Sequence, residues 1–152
     1  MSVVLKMFQK LSKWPFGKQL FTRGINMKAP YFKSLGATIV ELEEGYGKGF
    51  LRKRRSVENH IGTVHAIAMC NLCELVGGLT MEATIPKHKR WIPRGMQVEY
   101  LKKAETHLTA TSEIKNINWD TADVVKIQVD VKNDTDIVVM RAFIDMYISD
   151  KK

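Results

Sequence analysis

Side chains that can transfer a proton or attack a carbonyl carbon are concentrated in residues 59–74. An imidazole and a carboxylate are common general acids and bases, and a carboxylate can also act as a nucleophile. The apolar spacing of residues 63–81 predicts the longest helix of the chain, with His65 near its start and Glu74 near its middle. This segment is therefore the first candidate for a reactive site.

The spacing of His65 and Glu74 limits what one copy of this helix can do. Nine residues correspond to about 900° of rotation and about 13.5 Å of rise along a helix. The two side chains are thus predicted on opposite sides, out of reach of one small substrate atom. If both act on one substrate, two copies of the helix must lie side by side across a two-fold axis.

Four residues of the segment resemble the signature of the hotdog-fold acyl-CoA thioesterases of the phenylacetate-thioesterase type: Asn59, Gly62, His65 and Glu74. In that signature an Asn precedes a Gly, a His opens the central helix six residues after the Asn, and a carboxylate follows nine residues after the His. The chain resembles a bacterial branch of this superfamily over roughly residues 30–150.

The resemblance implies an α+β hotdog fold, in which an antiparallel sheet wraps around one long central helix. It also implies a homodimer, with a tetramer left open, whose active sites lie at the shared boundary. The expected activity is hydrolysis of an acyl thioester, preferably an acyl-CoA, without a metal or a cofactor other than the coenzyme A of the substrate. The expected location is the cytoplasm.

The resemblance also implies catalytic roles for individual residues. The backbone N–H of Ala66, together with that of Ile67, would hold the thioester carbonyl and its developing oxyanion at the positive end of the helix dipole. Glu74 would either activate water or attack the carbonyl, and both alternatives stay open. Asn59 would position the water or the carboxylate, and His65 would order the turn that leads into the helix.

Five residues are expected to contact the substrate: Gly62, Ile67, Asn71, Arg90 and Arg94. The two arginines are expected to bind the phosphates of coenzyme A. The family usually has two glycines after the His, whereas this chain has Ala66 and Ile67. That difference supports an alternative, a non-catalytic hotdog protein that binds acyl-CoA or lipid.

Cys70 and Cys73 form a C-x-x-C pattern, which is typical of redox pairs and of half of a zinc site. Redox pairs lie at a helix N-terminus, where the dipole lowers the thiol pKa, but these residues lie a turn or more inside the predicted helix. The sequence has no second C-x-x-C. We interpret both as small buried side chains and expect no metal.

The chain of 152 residues has the length of one folded domain, and its 45% hydrophobic and 26% charged residues are ordinary for such a domain. Its formal charge of +8 is uneven, because residues 1–40 contain seven Lys or Arg and no Asp or Glu. The rest is nearly neutral, and its strands lack recurring aromatic residues, which argues against nucleic-acid binding.

The basic front, residues 1–34, is predicted as two amphipathic helices over residues 3–14 and 16–27, packed on a hotdog domain of residues 35–152. Three interpretations of this front compete. In the first, six apolar side chains pack on the body: Leu5, Phe8, Trp14, Phe16, Leu20 and Phe21. In the second, the lysines attract phosphate-bearing ligands or anionic lipid. In the third, the front is an organellar transit peptide, against which its low Ser and Arg content argues.

Alternating apolar residues predict the strands of the body, and the short connections between them favour antiparallel pairing. The expected strands are residues 37–42, 46–54, 95–100, 106–114, 124–131 and 137–148. No membrane span is expected, because His65, Asn71 and Glu74 interrupt the most apolar stretch. The two cysteines and the absence of a secretory signal favour a reducing, intracellular compartment.

Overall fold

The computed structural model describes residues 1–151, which form three α-helices, two short 3₁₀ helices and six strands. The 3₁₀ helices are Pro30–Ser34 and Arg55–Val57. The other elements, in chain order, are α1 (Val3–Leu11), α2 (Gly17–Lys28), β1 (Thr38–Glu43), β2 (Tyr46–Leu51), α3 (Ala66–Thr84), β3 (Lys89–Tyr100), β4 (Leu108–Glu113), β5 (Val124–Lys132) and β6 (Val138–Asp150).

The six strands form one antiparallel sheet in the order β1-β2-β4-β5-β6-β3. The central helix α3 contacts every strand, so the sheet curves around it. On β6 the predicted apolar face is buried, with Met140, Ala142, Ile144 and Met146 fully inaccessible. The predicted α+β class, with a sheet wrapped around one long helix, is confirmed.

Helix α3 lies close to the sheet because β2 carries small residues where the two meet. A Cβ added to Gly49 would lie 2.5 Å from Cγ2 of Val76, and one added to Gly47 would collide with Thr80. By length and composition alone α3 could cross a membrane, so Asn71 and Glu74 do not disqualify it as the sequence suggested. Most of it is buried against the sheet, as in the core helix of a folded domain.

Several element boundaries differ from the predictions; α1 ends at Leu11 rather than at residue 14, and β2 ends at Leu51 rather than at residue 54. Helix α3 begins at Ala66 rather than at residue 63, because residues 59–65 form a hydrogen-bonded loop. Strand β3 begins at Lys89 rather than at residue 95, and Pro93 lies inside it, next to a bulge. A proline is tolerated there because β3 is an edge strand, whose outer side needs no ladder hydrogen bond.

The N-terminal helices pack on the body through fewer side chains than predicted. Leu5, Phe8 and Phe21 are buried, and the rings of Phe8 and Phe21 meet edge to face at 5.0 Å. The predictions for three others are wrong, since Trp14, Phe16 and Leu20 are exposed by 71, 80 and 58%. The helices end at Leu11 and begin again at Gly17, and the loop between them carries Trp14 and Phe16 outward.

The close approach of α3 to β2 predicts a stability difference between two glycine substitutions. Gly49→Ala should lower the free energy of unfolding by about 1–3 kcal/mol, because Val76 is stiff and cannot move aside. A Cβ added to Gly24, on α2, would have no other atom within 4 Å. Gly24→Ala should therefore raise the free energy of unfolding by up to about 1 kcal/mol. Urea unfolding of both variants measures the difference, and equal effects would contradict the close packing.

Candidate active site

The N-terminus of α3 is capped by His65. Its backbone is extended (φ −62°, ψ 138°), and its Nδ1 accepts a hydrogen bond of 3.1 Å from the N–H of Ile67. The N–H of Ile67 is therefore occupied, contrary to the expectation that it would face a substrate. Within residues 1–151, the N–H groups of Ala66 and Ala68 donate to no protein acceptor. These two donors lie at the positive end of the helix dipole.

The start of α3 at Ala66 also changes the relation between the helix N-terminus and Glu74. His65 lies outside the helix, so its predicted position on the opposite side from Glu74 does not apply. Ile67 and Glu74 are seven residues apart and lie on nearly the same side. Ala66 and Glu74 remain about 12 Å apart along the axis, so within one chain they still cannot contact the same atom.

The loop before α3 is held together by the side chain of Asn59. Its Oδ1 accepts hydrogen bonds of 3.1 Å from the N–H groups of Ile61 and Thr63, and its Nδ2 donates to the Thr63 hydroxyl at 2.8 Å. Gly62 completes the turn with φ +77°, a conformation that favours glycine. In this structure Asn59 thus orders the loop, and His65 orders the turn into the helix through its hydrogen bond with the Ile67 N–H.

One cavity lies beside the N-terminal half of α3, with a volume of about 220 Å³. We call it the amide cavity; it is lined by His65, Ile67, Ala68 and Asn71 of this region and by Tyr31, Ser34, Leu35, Ser56, Val57 and Glu58. Asn71 is only 9% exposed, and its buried Oδ1 has no hydrogen-bond partner among the described residues. A buried polar group without a partner is costly, which marks Asn71 as a group that a ligand or water can satisfy.

A second cavity, of about 340 Å³, begins one helical turn further along α3. We call it the apolar cavity; it is lined by Ile25, Lys28, Ala29, Phe32, Glu74, Leu75, Gly78, Leu79, Glu82, Trp91 and Pro93. Glu74 is half-buried in its wall and forms no hydrogen bond or ion pair with a described residue. The carboxylate is therefore free to act on a ligand.

Trp91 forms one wall of the apolar cavity and is fixed from two directions. Its indole N–H donates to Oε2 of Glu82 at 2.9 Å. Its ring lies so close to α3 that a Cβ added to Gly78 would be 2.9 Å from Cη2. The glycine at position 78 thus sets how near the ring can approach the helix.

The 3₁₀ helix Pro30–Ser34 separates the two cavities, because Tyr31 and Ser34 line one and Phe32 lines the other. The guanidinium of Arg54 anchors the end of this helix by donating to the carbonyl oxygens of Ser34 and Leu35 at 3.2 and 3.0 Å. This role could not be predicted, since Arg54 is 20 residues from Ser34 and belongs to a basic run typical of solvated surface.

Strand β3 runs antiparallel to α3 along the edge of the sheet. Its Tyr100 end lies beside Cys70, whose Sγ is 3.4 Å from the phenol oxygen, and its Trp91 end lies beside Gly78. The expected phosphate ligands Arg90 and Arg94 are exposed on β3, toward the Trp91 end. They therefore lie far from the helix N-terminus of the same chain.

The thiols differ in their surroundings. Cys73 is buried, as predicted, and burial raises the pKa of its thiol. Cys70 is only partly buried, and its hydrogen bond with Tyr100 raises the pKa of that phenol to about 12. In the part of the chain that the structure describes, no three His, Cys, Asp or Glu side chains are grouped as metal ligands would be.

The predicted site residues thus fall into two groups within one chain. The first group surrounds the N-terminus of α3: Asn59, Gly62, His65, Ala66, Ile67 and Asn71. The second lies at the middle of α3 and along the first half of β3: Glu74, Arg90 and Arg94. Two further residues that shape this region, Arg54 and Trp91, were not singled out as site residues from the sequence.

The family model described as a domain of unknown function (DUF4442) matches residues 17–148. The chain belongs to the DUF4442 family. A crystal structure from a structural genomics effort is 42% identical, covers 97% of this chain and 99% of its own, and has a TM-score of 0.87. No curated protein matches the chain.

More distant structures share the fold of this DUF4442 protein. PA5026 from Pseudomonas aeruginosa, named a probable thioesterase, is 18% identical, with a TM-score of 0.76 over 83% of this chain and 91% of its own. The thioesterase HI1161 from Haemophilus influenzae is 14% identical, with a TM-score of 0.71 over 79% of this chain and 82% of its own. These likenesses confirm the hotdog fold.

The cap on α3 predicts a paired effect at position 65 of this DUF4442 protein. His65→Ala removes the acceptor for the Ile67 N–H and should lower the free energy of unfolding by about 1 kcal/mol. His65→Asn supplies another acceptor and should retain most of that stability. Chemical denaturation checks both variants, and a fully stable His65→Ala protein would show that the cap contributes nothing.

Proposed function

We propose that this protein is a homodimeric thioesterase that hydrolyses acyl-CoA at two sites shared between its subunits. The observation that carries this proposal is that several polar groups along one side of α3 have no hydrogen-bond partner within the part of the protein that the structure describes. Free backbone donors lie at its N-terminal end, the unpaired Asn71 lies on its second turn, and the free carboxylate of Glu74 lies about 12 Å from Ala66 along the helix axis. Together these are the two halves of a site for acyl transfer from a thioester to water.

The exposed edge of the sheet supports a dimer. β3 spans 12 residues, most of them exposed, and its outer side pairs with no strand among residues 1–151. Such an edge is a template for pairing with another chain. Two-fold pairing would lay the Tyr100 end of one β3 beside the Trp91 end of the other. Because α3 runs along β3, Glu74 would then approach the helix N-terminus of the partner.

In the proposed reaction the thioester carbonyl oxygen accepts hydrogen bonds from the N–H groups of Ala66 and Ala68. Glu74 of the other subunit takes a proton from water, and the resulting hydroxide adds to the carbonyl carbon. The electron pair of the C=O bond moves to the oxygen, where the helix donors stabilise it. Collapse of this intermediate breaks the C–S bond and expels the thiolate of coenzyme A. The thiolate takes the proton held by Glu74, leaves as the thiol and restores the carboxylate.

A nucleophilic route uses the same groups in a different order. Glu74 adds directly to the carbonyl carbon, the C–S bond breaks, and the thiol leaves after taking a proton. Water then hydrolyses the mixed anhydride and restores the carboxylate. Asn71 would bind the substrate or the water in either route, because its amide oxygen has no protein partner.

The apolar cavity supports an acyl group as the part of the substrate nearest Glu74. Its wall combines aliphatic and aromatic side chains with the two carboxylates Glu74 and Glu82. A cavity of about 340 Å³ is within the usual range for small-molecule sites. Arg90 and Arg94 are exposed on β3 and would bind the phosphates of coenzyme A. We propose a cytoplasmic location, in line with the two free thiols.

The non-catalytic alternative is favoured by one observation. Ile67 takes the place of a family glycine, and its exposed side chain lies in the wall of the amide cavity. The Ile67 side chain narrows the access of a thioester carbonyl to the backbone N–H groups at the start of α3. Such a site is consistent with a protein that binds acyl-CoA without releasing the thiol. Thiol release and ligand binding, measured side by side on short, long and aromatic acyl-CoAs, separate the two functions.

Substitution of Glu74 tests the mechanism against a matched carboxylate in the same cavity. Glu74→Gln should lower kcat by at least about 100-fold, because it removes the base or nucleophile. Glu82→Gln retains an acceptor for the Trp91 indole and should change kcat only a few-fold. Thiol release is the measurement, with the elution volume of each variant as a control for assembly. Full activity of Glu74→Gln would refute the mechanism.

Ala66→Pro tests the backbone donor with little disturbance of the helix. Proline is favoured at the first helical position, the extended His65 suits the residue before it, and only the free N–H is lost. We expect a folded protein with strongly reduced kcat. An unchanged kcat would exclude the Ala66 N–H as an oxyanion donor.

Mixing the two inactive variants tests whether sites are shared. If the donor and the carboxylate come from different subunits, co-expression of Ala66→Pro with Glu74→Gln creates one intact site per mixed dimer. Random assembly from equal amounts should then restore about a quarter of wild-type activity. If each site lies within one chain, no activity returns.

A further inference from the structure

The N-terminal helices expose a set of apolar side chains that neither the fold nor the proposed reaction uses. We call it the front face and define it by Val3, Met7, Trp14, Phe16, Leu20 and Met27, all exposed. Eight of the 17 large exposed apolar side chains lie in the first 31 residues, about a fifth of the chain. Because α1 and α2 pack on each other, these side chains belong to one layer of the molecule, where exposed apolar residues are denser than elsewhere on the chain.

Helical spacing shows that the front face points away from the body. On α1, Val3 and Met7 are one turn apart and opposite the buried Leu5 and Phe8. On α2, Leu20 and Met27 are two turns apart on one side, and the buried Thr22 lies on the other side, about 200° from Leu20. Each helix therefore has one apolar side that packs on the protein and another that faces solvent.

The loop between α1 and α2 holds two aromatic rings outward on a rigid backbone. The N–H of Trp14 donates to the Leu11 carbonyl and the N–H of Gly17 to the Trp14 carbonyl, both at 2.9 Å. Phe16 has φ 60° and ψ 12°, a left-handed conformation that is unfavourable for a phenylalanine. The loop thus accepts backbone strain to keep an 80% exposed ring at its tip.

The charge around the front face identifies the kind of partner. Lys13 and Lys18 flank the aromatic tip, and residues 1–40 contain five further Lys or Arg and no acid. A second copy of this face would bring like charges together, which disfavours self-association. Aromatic rings at a tip bordered by lysines suit the boundary between phosphate headgroups and acyl chains of an anionic bilayer.

We propose that the front face docks this protein on anionic membrane surfaces, with Trp14 and Phe16 inserted at the headgroup boundary and the surrounding lysines on lipid phosphates. The association is peripheral and leaves the sheet and α3 in water. It does not depend on the thioesterase activity, and α1 and the tip up to Phe16 precede the family match, which begins at residue 17.

Co-sedimentation with vesicles tests the proposal on the full chain. We expect binding to vesicles of phosphatidylcholine with about 30% phosphatidylserine and at least about tenfold weaker binding to pure phosphatidylcholine. The fluorescence of Trp14 should shift to shorter wavelength on binding, and Trp14→Phe should remove that shift. Raised salt should weaken the binding.

Substitutions at the tip separate membrane binding from folding. Phe16→Asn should lower vesicle affinity at least about tenfold while it raises or maintains the melting temperature, because Asn adopts the left-handed conformation at lower cost. Lys13→Gln with Lys18→Gln should lower affinity about fivefold for each lysine replaced. Two controls lie elsewhere on the surface, Ile137→Ser and Lys103→Gln, and both should bind like the wild type.

Three results would overturn the proposal. One is the absence of binding to the phosphatidylserine vesicles. Another is equal binding by the wild type and the Phe16→Asn variant. The third is concentration-dependent self-association that Phe16→Asn abolishes without any vesicle binding, which would identify the front face as a contact between two copies of this chain.

Discussion

The close packing of α3 inside the curved sheet is the constraint on which the rest of the structure depends. Because β2 presents glycines to the helix, the sheet approaches α3 closely and covers most of its surface. The long polar side chains Asn71, Glu74 and Glu82 lie on one side of the helix, whereas Thr80 on the sheet side is buried with its hydroxyl bonded to the Val76 carbonyl. The chemistry of the molecule is therefore confined to that side and to the helix N-terminus.

The same packing leaves the two edges of the sheet unequal. On β1, the N–H of Ile39 donates to the hydroxyl of Thr22 at 2.9 Å, so α2 protects that edge. Among residues 1–151, no side chain forms such a hydrogen bond with the backbone along the outer side of β3. The bulge near Pro93 shifts the register of β3 with β6 but leaves that outer side without a partner strand. The edge that remains available for pairing with a further strand is thus β3, which runs along the side of α3 that carries Asn71, Glu74 and Glu82.

Much of the fold was predictable from the spacing of apolar residues, since they repeat at every second position in a strand and about every 3.6 positions in a helix. The boundaries were less predictable. His65 is not a usual N-cap, so its extended conformation could not be read from its type, and Pro93 indicated a break that an edge strand does not need. Periodicity also cannot tell which of two apolar sides of a short helix is buried, which explains the error at Leu20. Trp14 and Phe16 lie in a loop between two helices, where helical periodicity does not apply.

The candidate site was predictable as a set of residue types but not as contacts. The spacing of Asn59, His65 and Glu74 pointed to the segment in which the structure places free backbone donors and a carboxylate without a partner. The unpaired oxygen of Asn71 and the anchoring of the 3₁₀ helix by Arg54 depend on neighbours far away in sequence, and no local pattern encodes them. The assignment of the Ile67 N–H failed for a related reason, because one side-chain rotamer of His65 decides whether that donor is free.

Helix α2 connects the two apolar regions of the molecule. Its Ile25 and Lys28 line the cavity beside Glu74, while Leu20 and Met27 face outward. An acyl thioester has an apolar tail that avoids water and an anionic head that does not, and a bilayer surface concentrates such molecules. If the front face lies on that surface, only the thickness of α2 and the 3₁₀ helix after it separates the bilayer from the apolar cavity. The acyl tail of a substrate would then pass from the bilayer to the apolar cavity across one layer of helix, formed by α2 and the 3₁₀ helix after it.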